Sequence, residues 1–251
     1  MYKFNTIYNE DCISGMERIA DKSIDMILCD LPYGTTNNKW DMVIPFDLLW
    51  KQYNRIIKEN GAVVLFGDGM FTAKLMQSNE TTWRYNLVWD KRRGCDFLNA
   101  NIKPMKSHED ILVFYKAKPT YNKQYWYADP YKKPVNGSLS ENYRKRGKTV
   151  SESKDGRRNP LTVLSFAKDG ASRIHPTQKP VPLFEYLIKT YTNEGDTVLD
   201  NCMGSGTTAI AAINTNRKYI GFETDETYFK SANERIEEHK QTLIRSRQCI
   251  I

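Results

Sequence analysis

The sequence lacks long apolar runs and paired cysteines, and these two absences argue against several classes of protein. No apolar run approaches the roughly 18 residues that a membrane-spanning helix needs, and the first residues hold no apolar segment of the secretory kind. The five cysteines are scattered without a CxxC pair, which argues against a disulfide framework and a zinc site. We therefore expect a cytoplasmic protein with reduced thiols and no bound metal.

The basic residues are concentrated in one part of the chain. The formal net charge is +7, and residues 118–168 hold twelve Lys and Arg against four Asp and Glu. The rest of the chain is nearly neutral, with 25 of the 37 basic and 26 of the 30 acidic residues. The basic part is also rich in tyrosine, and such a composition suits a nucleic acid, whose phosphates would contact the basic residues and whose bases would stack on the rings. An ordinary solvated surface with loop tyrosines is the structural alternative.

Elsewhere, strand-like and helix-like apolar patterns alternate along the chain. Pro45 suits the start of the first predicted helix, and Gly61 suits its end. The alternation predicts an α/β fold with a doubly wound, mostly parallel sheet that helices cover on both faces. We assign residues 1–117 and 161–251 to this domain and 118–160 to an irregular insert. The patterns predict strands at 24–30, 62–66, 110–115, 161–167, 197–200 and 219–223, and helices at 45–59, 182–191, 207–213 and 226–243.

A glycine-rich turn follows one of the predicted strands. Gly204 and Gly206 let the backbone turn tightly and approach a ligand, and the next helix offers unpaired N–H groups to an anion. Asp200 precedes the turn, and Glu223 ends the next strand, where a carboxylate can accept hydrogen bonds from ribose. A purely structural turn is one alternative. The spacing also matches a dinucleotide fingerprint, so a nicotinamide oxidoreductase stays open.

A second motif, Asp30-Leu31-Pro32-Tyr33, also follows a predicted strand. Ligands bind beyond the carboxyl ends of parallel strands, so this motif and the glycine turn can face one site. The Asp30 carboxylate and the Leu31 carbonyl can accept the two hydrogens of an exocyclic amine, and Pro32 favours an extended Leu31. Tyr33 offers a plane for a base that has left the duplex. An ordinary Asp-x-Pro turn is the structural alternative.

In this order the motifs resemble those of the β class of DNA amino-methyltransferases, whose Asp-Pro-Pro-Tyr motif precedes a recognition region and a glycine loop. The resemblance covers residues 5–240, and segments 9–12, 108–114, 175–180 and 221–223 also match. Leu31 replaces the first proline of the motif, and Cys202 replaces a phenylalanine often found in the loop. The resemblance implies a Rossmann-like, circularly permuted S-adenosylmethionine-dependent methyltransferase fold, with the insert recognising double-stranded DNA.

The resemblance also implies a role for each matching residue. Asp30, Leu31, Pro32 and Tyr33 would hold a flipped adenine, whose N6 amine would take the methyl group by direct displacement at the sulfonium, without a metal. The implied cofactor-binding residues are Asp11, Cys12, Lys179, Asp200, Gly204, Ser205, Gly206, Thr207, Thr208 and Glu223. The basic residues expected to contact DNA are Arg92, Arg93, Lys145, Arg146, Arg157 and Arg158.

Several alternatives remain open beside adenine methylation. Cytosine N4 methylation is the nearest rival, although family members with that activity usually carry serine where this chain has Asp30. Carbon-5 methylation is disfavoured because the chain contains no Pro-Cys nucleophile motif. RNA and protein-amide methyltransferases more often carry asparagine at this position, and a DNA-binding protein without catalysis is a further class. A homodimer and a cognate restriction endonuclease are partners that the resemblance leaves open.

Overall fold

The computed structural model describes residues 2–36, 38, 41–135, 149–168 and 178–248. The chain divides into two compact units, Met1–Asn122 with Thr162–Ile251 and, between them in sequence, Lys123–Leu161. Lys145 and Arg146, which the sequence nominates for DNA binding, lie outside the described residues, as does 175–177 of the matching segment 175–180.

Strands and helices alternate through most of the first unit. Its strands are β1 Thr6–Tyr8, β2 Ile24–Cys29, β3 Ile57–Gly67, β4 Trp83–Cys95, β5 Lys106–Phe114, β10 Val163–Ser165, β11 Thr197–Asp200 and β12 Lys218–Phe222. Its helices are α1 Cys12–Glu17, α2 Phe46–Ile56, α3 Gly69–Ser78, α4 Val181–Tyr191, α5 Thr207–Asn214 and α6 Glu226–Gln248. Within the described residues, every helix is too short or too polar to cross a membrane.

Among the described residues, eight strands form one sheet in the order β1-β12-β11-β2-β3-β5-β4-β10. Every neighbouring pair is parallel except those of β5, which runs antiparallel to both β3 and β4. This arrangement confirms the predicted α/β class and its mostly parallel sheet. Because β12 and β11 lie between β1 and β2 and all four run parallel, strands from the beginning and the end of the sequence have their carboxyl ends side by side.

The sheet buries both of its faces, as expected for parallel strands. Along β2, Met26 and Leu28 pack into one apolar cluster, whereas Ile27 and Cys29 pack into the other. Side chains of a strand alternate between faces, so this split shows that helices cover each side. The first cluster contains residues of α4, α5 and α6, and the second contains residues of α1, α2 and α3.

Two details of the predicted elements were wrong. Helix α2 ends at Ile56 rather than near Gly61, because Ile57 is already extended (φ −71°, ψ 137°) and begins β3. Gly61 lies inside β3, where a Cβ atom would come within 2.8 Å of the Asp25 carbonyl oxygen. Strand β10 is also shorter than the predicted 161–167, although the Phe166 N–H still donates to the Asp90 carbonyl at 3.1 Å.

In its described residues, 123–135 and 149–161, the second unit contains two short antiparallel ribbons. Strand β6 Trp126–Tyr127 pairs with β9 Arg157–Arg158, and β7 Tyr131–Val135 pairs with β8 Thr149–Ser153. Its bounds differ by a few residues from the predicted insert at 118–160. The role of this unit in DNA recognition stays a prediction.

Candidate active site

A cavity of about 710 Å³ lies where β1, β12, β11 and β2 finish. Its volume falls in the range of small-molecule sites, which is roughly 300–1,000 Å³. Both sequence motifs line it: the segment Asp30–Tyr33 follows β2, and the glycine turn follows β11. We call these two sides the Asp30 end and the glycine-loop end of the cavity.

At the Asp30 end, the carboxylate and the tyrosine of the motif contact each other. The Tyr33 hydroxyl donates to Asp30 Oδ1 at 2.8 Å, and burial raises the pKa of Tyr33, so the hydroxyl keeps its proton. One face of the Tyr33 ring stacks on Phe71, with centroids 4.7 Å apart and an interplanar angle of 28°. Leu31 is buried, and Pro32 lines the cavity beside it. The motif is therefore held firmly at the cavity wall.

The turn after the motif is fixed by Asp41. Its carboxylate accepts the backbone N–H groups of Gly34, Thr35 and Thr36 at 2.8, 2.9 and 2.7 Å. Burial alone would raise the pKa of Asp41, but these hydrogen bonds outweigh it and lower the pKa below its usual value. Gly34 is left-handed (φ 67°), a conformation that favours glycine. The sequence analysis missed Asp41, because its role depends on the path of the loop rather than on a motif.

Four buried charges alternate in a row at the Asp30 end. The Lys179 ammonium contacts Asp30 Oδ2 and lies 3.2 Å from Glu109 Oε2, and the Lys91 ammonium lies 2.6 Å from Glu109 Oε1. We call Asp30, Lys179, Glu109 and Lys91 the charge row. Their side chains are only 20%, 7%, 13% and 4% exposed, respectively. Neither Glu109 nor Lys91 was nominated as a site residue from the sequence.

Within the charge row, burial and neighbouring charges move the pKa values in different directions. Burial raises the pKa of Asp30, opposed by Lys179 and reinforced by the charge of Glu109. Burial would also raise the pKa of Glu109, but Lys179 and Lys91 outweigh it and lower this pKa to about 2. Burial would lower the pKa of Lys179, yet its two carboxylate neighbours raise it. Lys179 is therefore a fixed positive charge between two carboxyl groups.

The sequence nominated Lys179 for the cofactor's carboxylate, and the structure directs its side chain to Asp30 and Glu109 instead. Its backbone faces the other end of the cavity, where its carbonyl oxygen accepts the Thr207 hydroxyl at 3.3 Å. Lys179 thus connects the two motifs through one residue, and its proposed contact with a cofactor stays a prediction.

At the glycine-loop end, Gly204 and Glu223 define the turn. Gly204 and Gly206 are both left-handed, with φ values of 51° and 77°. The Gly204 N–H donates to Glu223 Oε2 at 2.8 Å, and the Asp225 N–H donates to Glu223 Oε1 at 2.9 Å. Burial raises the pKa of Glu223, partly offset by these N–H groups. The carboxylate is therefore fixed beside the turn on the wall of the cavity.

Asp200 joins the end of β11 to the first turn of α5. Its carboxylate accepts the Cys202 N–H at 3.0 Å and the Thr208 hydroxyl. Burial raises its pKa to about 6, despite those two hydrogen bonds. Next to it, the hydroxyls of Ser205 and Thr207 lie 3.2 Å apart.

Arg235 reaches the start of α5 from helix α6, and the sequence analysis did not single it out. Its guanidinium donates to the Ser205 carbonyl at 2.8 Å and to the Thr207 hydroxyl at 3.2 Å. No motif marks this arginine, because it lies on a long charged helix where most basic residues face solvent.

Asp11 and Cys12 come to the same end from β1. Asp11 caps α1, since its carboxylate accepts the Ser14 N–H at 2.9 Å. Cys12 is buried, and Asn201 Nδ2 lies 3.6 Å from its sulfur. Its contact with Cys202, together with burial, raises the pKa of the Cys12 thiol. Both nominated residues line the cavity.

The nominated arginines that the structure describes divide between the two compact units. Arg92, in β4, is left-handed (φ 58°), and its guanidinium donates to the Ser165 hydroxyl and carbonyl at 3.0 and 2.9 Å. Its neighbour Arg93 is exposed. In the second unit, Arg157 lies over the Tyr125 ring at 4.8 Å, and Arg158 lies over the Tyr131 ring at 4.4 Å.

The glycine-loop end fits S-adenosylmethionine, the cofactor that the sequence resemblance implies. That molecule carries a ribose, a positive sulfonium and an amino-acid group with a carboxylate. Glu223 offers acceptors for ribose hydroxyls, and Asp200 adds negative charge close by. The hydroxyls of Ser205 and Thr207 at the start of α5 suit a carboxylate. A left-handed Gly204 lets the backbone approach such a ligand closely.

Comparisons with known proteins identify the family and the fold. A family model described as DNA methylase, of the N6/N4 type, matches residues 24–234. The chain is 28% identical over 252 residues to the type II methyltransferase M.HpaI of Haemophilus parainfluenzae, covering 90% of this chain and 72% of M.HpaI. The crystal structure of the M1.HpyAVI–SAM complex matches with a TM-score of 0.62 and 25% identity, covering 92% of this chain and 98% of that chain.

A further solved structure supports the fold. PvuII DNA methyltransferase, which is cytosine-N4-specific, matches with a TM-score of 0.67 and 16% identity over 96% of this chain and 92% of that chain. Together these likenesses confirm the predicted Rossmann-like methyltransferase fold. Since the family model spans most of its length, the chain belongs to the N6/N4 family of DNA methylases.

Proposed function

We propose that this DNA methyltransferase transfers a methyl group from S-adenosylmethionine to the N6 amine of adenine in duplex DNA, at a specific sequence. One observation carries the proposal: the Asp30–Tyr33 segment and the glycine turn line the same cavity. An acceptor for an amine and a cradle for a methyl donor then belong to one site. Holding two reactants in this way removes much of the entropic barrier to their reaction.

The Asp30 end acts on the target amine. Its nitrogen is a poor nucleophile, because its lone pair is delocalised into the purine ring. The Asp30 carboxylate and the Leu31 carbonyl accept its two hydrogens, which favours a tetrahedral nitrogen with an available lone pair. Tyr33 offers a ring against which the extruded base stacks. As the new N–CH3 bond forms, the S–CH3 bond of the donor breaks and leaves a neutral thioether, and the nitrogen releases a proton to Asp30, the carboxylate next to it.

The glycine-loop end holds the donor. When bound, S-adenosylmethionine supplies a methyl group activated by its positive sulfur. Glu223 accepts the ribose hydroxyls, while Asp11 and Cys12 border the adenine of the cofactor. Ser205, Thr207 and Thr208 surround the amino-acid group, with Asp200 facing the positive charge. Gly204 and Gly206, both left-handed, let the backbone pass close to the donor.

The choice of adenine over cytosine rests on Asp30. Family members that methylate cytosine N4 usually carry serine at this place, whereas this chain carries a carboxylate. The two amines have nearly the same chemistry, so the product must be identified directly.

DNA contact is assigned to the nominated arginines, of which Arg157 and Arg158 form guanidinium–ring contacts in the second unit.

The test is to identify the methylated nucleoside. Purified protein is incubated with unmethylated genomic DNA and methyl-deuterated S-adenosylmethionine, and the digested nucleosides are analysed by mass spectrometry. We expect deuterated N6-methyladenine, at one sequence context when the same DNA is read by single-molecule sequencing. Deuterated N4-methylcytosine would overturn the choice of base. DNA binding without any methylated nucleoside would instead indicate a DNA-binding protein without catalysis.

A further inference from the structure

The charge row contains two residues, Glu109 and Lys91, to which the proposed chemistry gives no role. Lys91 belongs to β4, Glu109 to β5, and Lys179 to the segment before α4. Each lysine also lies over an aromatic ring: Lys91 over Trp89 at 5.4 Å and Lys179 over Phe66 at 5.2 Å. The two ammonium groups are therefore confined by rings as well as by carboxylates.

The charge row is an inefficient way to stabilise the fold. Burying charges costs free energy that ion pairing repays only in part, and apolar replacements are often equally stable. The row sits on the wall of the cavity, where Asp30, Glu109 and Lys179 all line it. Its position next to the proposed acceptor suggests a role in the reaction.

Lys179 and the target amine would compete for the same carboxylate. A buried lysine with Asp30 as its single partner would concentrate its attraction on the Asp30 oxygens, and a neutral amine would have to displace it. Glu109 offers Lys179 a second carboxylate at 3.2 Å. Lys91, at 2.6 Å from the other oxygen of Glu109, keeps that carboxylate ionised and fixed in place.

We propose that Glu109, anchored by Lys91, is a positioning residue: by sharing Lys179 with Asp30, it keeps the Asp30 carboxylate oriented and available to accept the hydrogens of the target amine. The inference rests on the proposed function of Asp30. Glu109 acts through Lys179 and contacts neither the donor nor the target.

The sign of the electrostatic effect follows from the groups that face Asp30. Glu109 raises the pKa of Asp30 by charge repulsion, whereas Lys179 lowers it. Replacing Glu109 with glutamine removes the repulsion and leaves Lys179 to Asp30, so both effects lower the pKa of Asp30. Replacing Lys91 removes a positive charge from the row, so the pKa of Asp30 should rise. In the described part of the chain, other titratable groups near the row include Tyr33 in the motif, Cys29 in β2, Asp200 after β11, Asp68 after β3 and Lys168, which lines the same cavity.

The decisive experiment measures Asp30 directly and does not require activity. The full-length protein is labelled with ¹³C-carboxyl aspartate, and the Asp30 resonance is assigned with an Asp30→Asn variant. We expect Glu109→Gln to move the Asp30 titration to lower pH and Lys91→Gln to move it to higher pH. Opposite signs would show that both charges act on the ionisation of Asp30, and the kinetic test below connects that action to methyl transfer. An unchanged Asp30 titration in a folded Glu109→Gln or Lys91→Gln variant overturns the proposal.

A matched control comes from the other end of strand β2. Asp25, at the start of β2, pairs with Lys58 at 2.6 Å, the same distance as in the Lys91–Glu109 pair, and its side chain is 16% exposed against 13% for Glu109, although Lys58 is 40% exposed. Asp25→Asn removes a comparable ion pair away from the cavity. We expect it to leave both the Asp30 titration and the turnover at wild-type values. An Asp25→Asn shift as large as that of Glu109→Gln would overturn the proposal.

The kinetic test separates this inference from the proposed function. In single-turnover methylation of duplex DNA, Glu109→Gln should lower the plateau rate about 10-fold, because a less basic carboxylate is a weaker acceptor. The acidic limb of its pH profile should move to lower pH, and binding of S-adenosylmethionine should stay within about two-fold. A wild-type protein that methylates no DNA refutes the proposed function, whereas the Asp30 titrations still decide whether Glu109 and Lys91 act on Asp30.

Discussion

The two ends of the cavity hold their carboxylates in different ways. At the Asp30 end, Asp30 and Glu109 face the ammonium groups of two buried lysines. At the glycine-loop end, Asp200 and Glu223 accept hydrogen bonds from backbone N–H groups, and Asp200 also accepts a hydroxyl. At the Asp30 end, lysine ammonium groups neutralise the carboxylates, whereas at the glycine-loop end neutral hydrogen-bond donors hold them in place.

This difference matches the charge of what each end is proposed to bind. Lysine neighbours lower the pKa of Glu109 to about 2, so its charge is permanent and is balanced inside the protein. Burial raises the pKa of Asp200 to about 6, so ionisation of this carboxyl group is unfavourable unless a bound cation offsets the burial. A neutral amine suits the balanced end, and a positive sulfonium suits the unbalanced end. Mutations at the two ends should therefore have separable effects.

The largest effect is expected from Asp30→Ala at the balanced end. It should lower the methyl-transfer rate about 10³-fold, since removing one acceptor from a preorganised site costs this order of magnitude. Binding of S-adenosylmethionine, measured by isothermal titration, should change by no more than a few-fold. Asp30→Asn is the matched control for shape, and it should lose nearly as much rate because the amide has one acceptor oxygen. Wild-type turnover in a folded Asp30→Ala protein would contradict the role of this carboxylate.

The strands that carry the two motifs could be predicted because their signals are local. Residues 24–30 and 197–200 are short apolar runs that end in aspartate, and both became parallel strands, β2 and β11. Strand β4 was missed, because charged residues such as Arg84 and Asp90 interrupt its apolar alternation, and its burial pattern is mixed. Sheet pairing with β5, rather than its own pattern, makes it a strand.

The glycine-loop end provides the next largest effect. Glu223→Ala should weaken binding of S-adenosylmethionine about 10–100-fold, because the ribose loses a charged acceptor worth roughly 1.5–3 kcal/mol. The rate at saturating cofactor should fall by much less, which is the reverse of the Asp30→Ala result. Glu223→Gln, which keeps one acceptor oxygen for the Gly204 N–H, should lie between the two. A lower saturated rate with unchanged cofactor affinity would erase the distinction between the ends.

A smaller effect follows from the pKa of Asp200. Because this pKa is about 6, the carboxyl group is neutral below pH 6 and charged above it. Affinity for the cationic cofactor should therefore rise as pH increases through about 6 and level off above pH 7. Asp200→Asn should remove this rise and bind about 10-fold more weakly at pH 8, the equivalent of one pKa unit. Calorimetric titrations at several pH values would test this, and the same rise in Asp200→Asn would assign it to another group.

The contacts inside the site were less predictable than its motifs. Lys91 and Glu109 lie 18 residues apart in sequence and meet because β5 pairs antiparallel with β4, and Lys179 reaches Glu109 from the segment before α4. No sequence motif or residue spacing predicts these contacts. The sequence therefore predicted that Asp30 and Gly204 share a site, but it could not predict which side chains determine the ionisation of Asp30.

The smallest effect is expected outside the cavity, in the second unit, and it tests whether DNA contact is separate from both ends. Replacing Arg157 and Arg158 with glutamine should weaken duplex binding about five-fold at physiological salt and reduce the slope of log affinity against log salt by up to about 1.8. Affinity for S-adenosylmethionine should not change. Arg84→Gln is the matched control, because its guanidinium also lies over a tyrosine ring, Tyr115, at 5.2 Å, at the start of β4. If Arg84→Gln reduced the slope as much per charge removed as the double variant does, the loss would reflect overall charge, and DNA contact could not be assigned to the second unit.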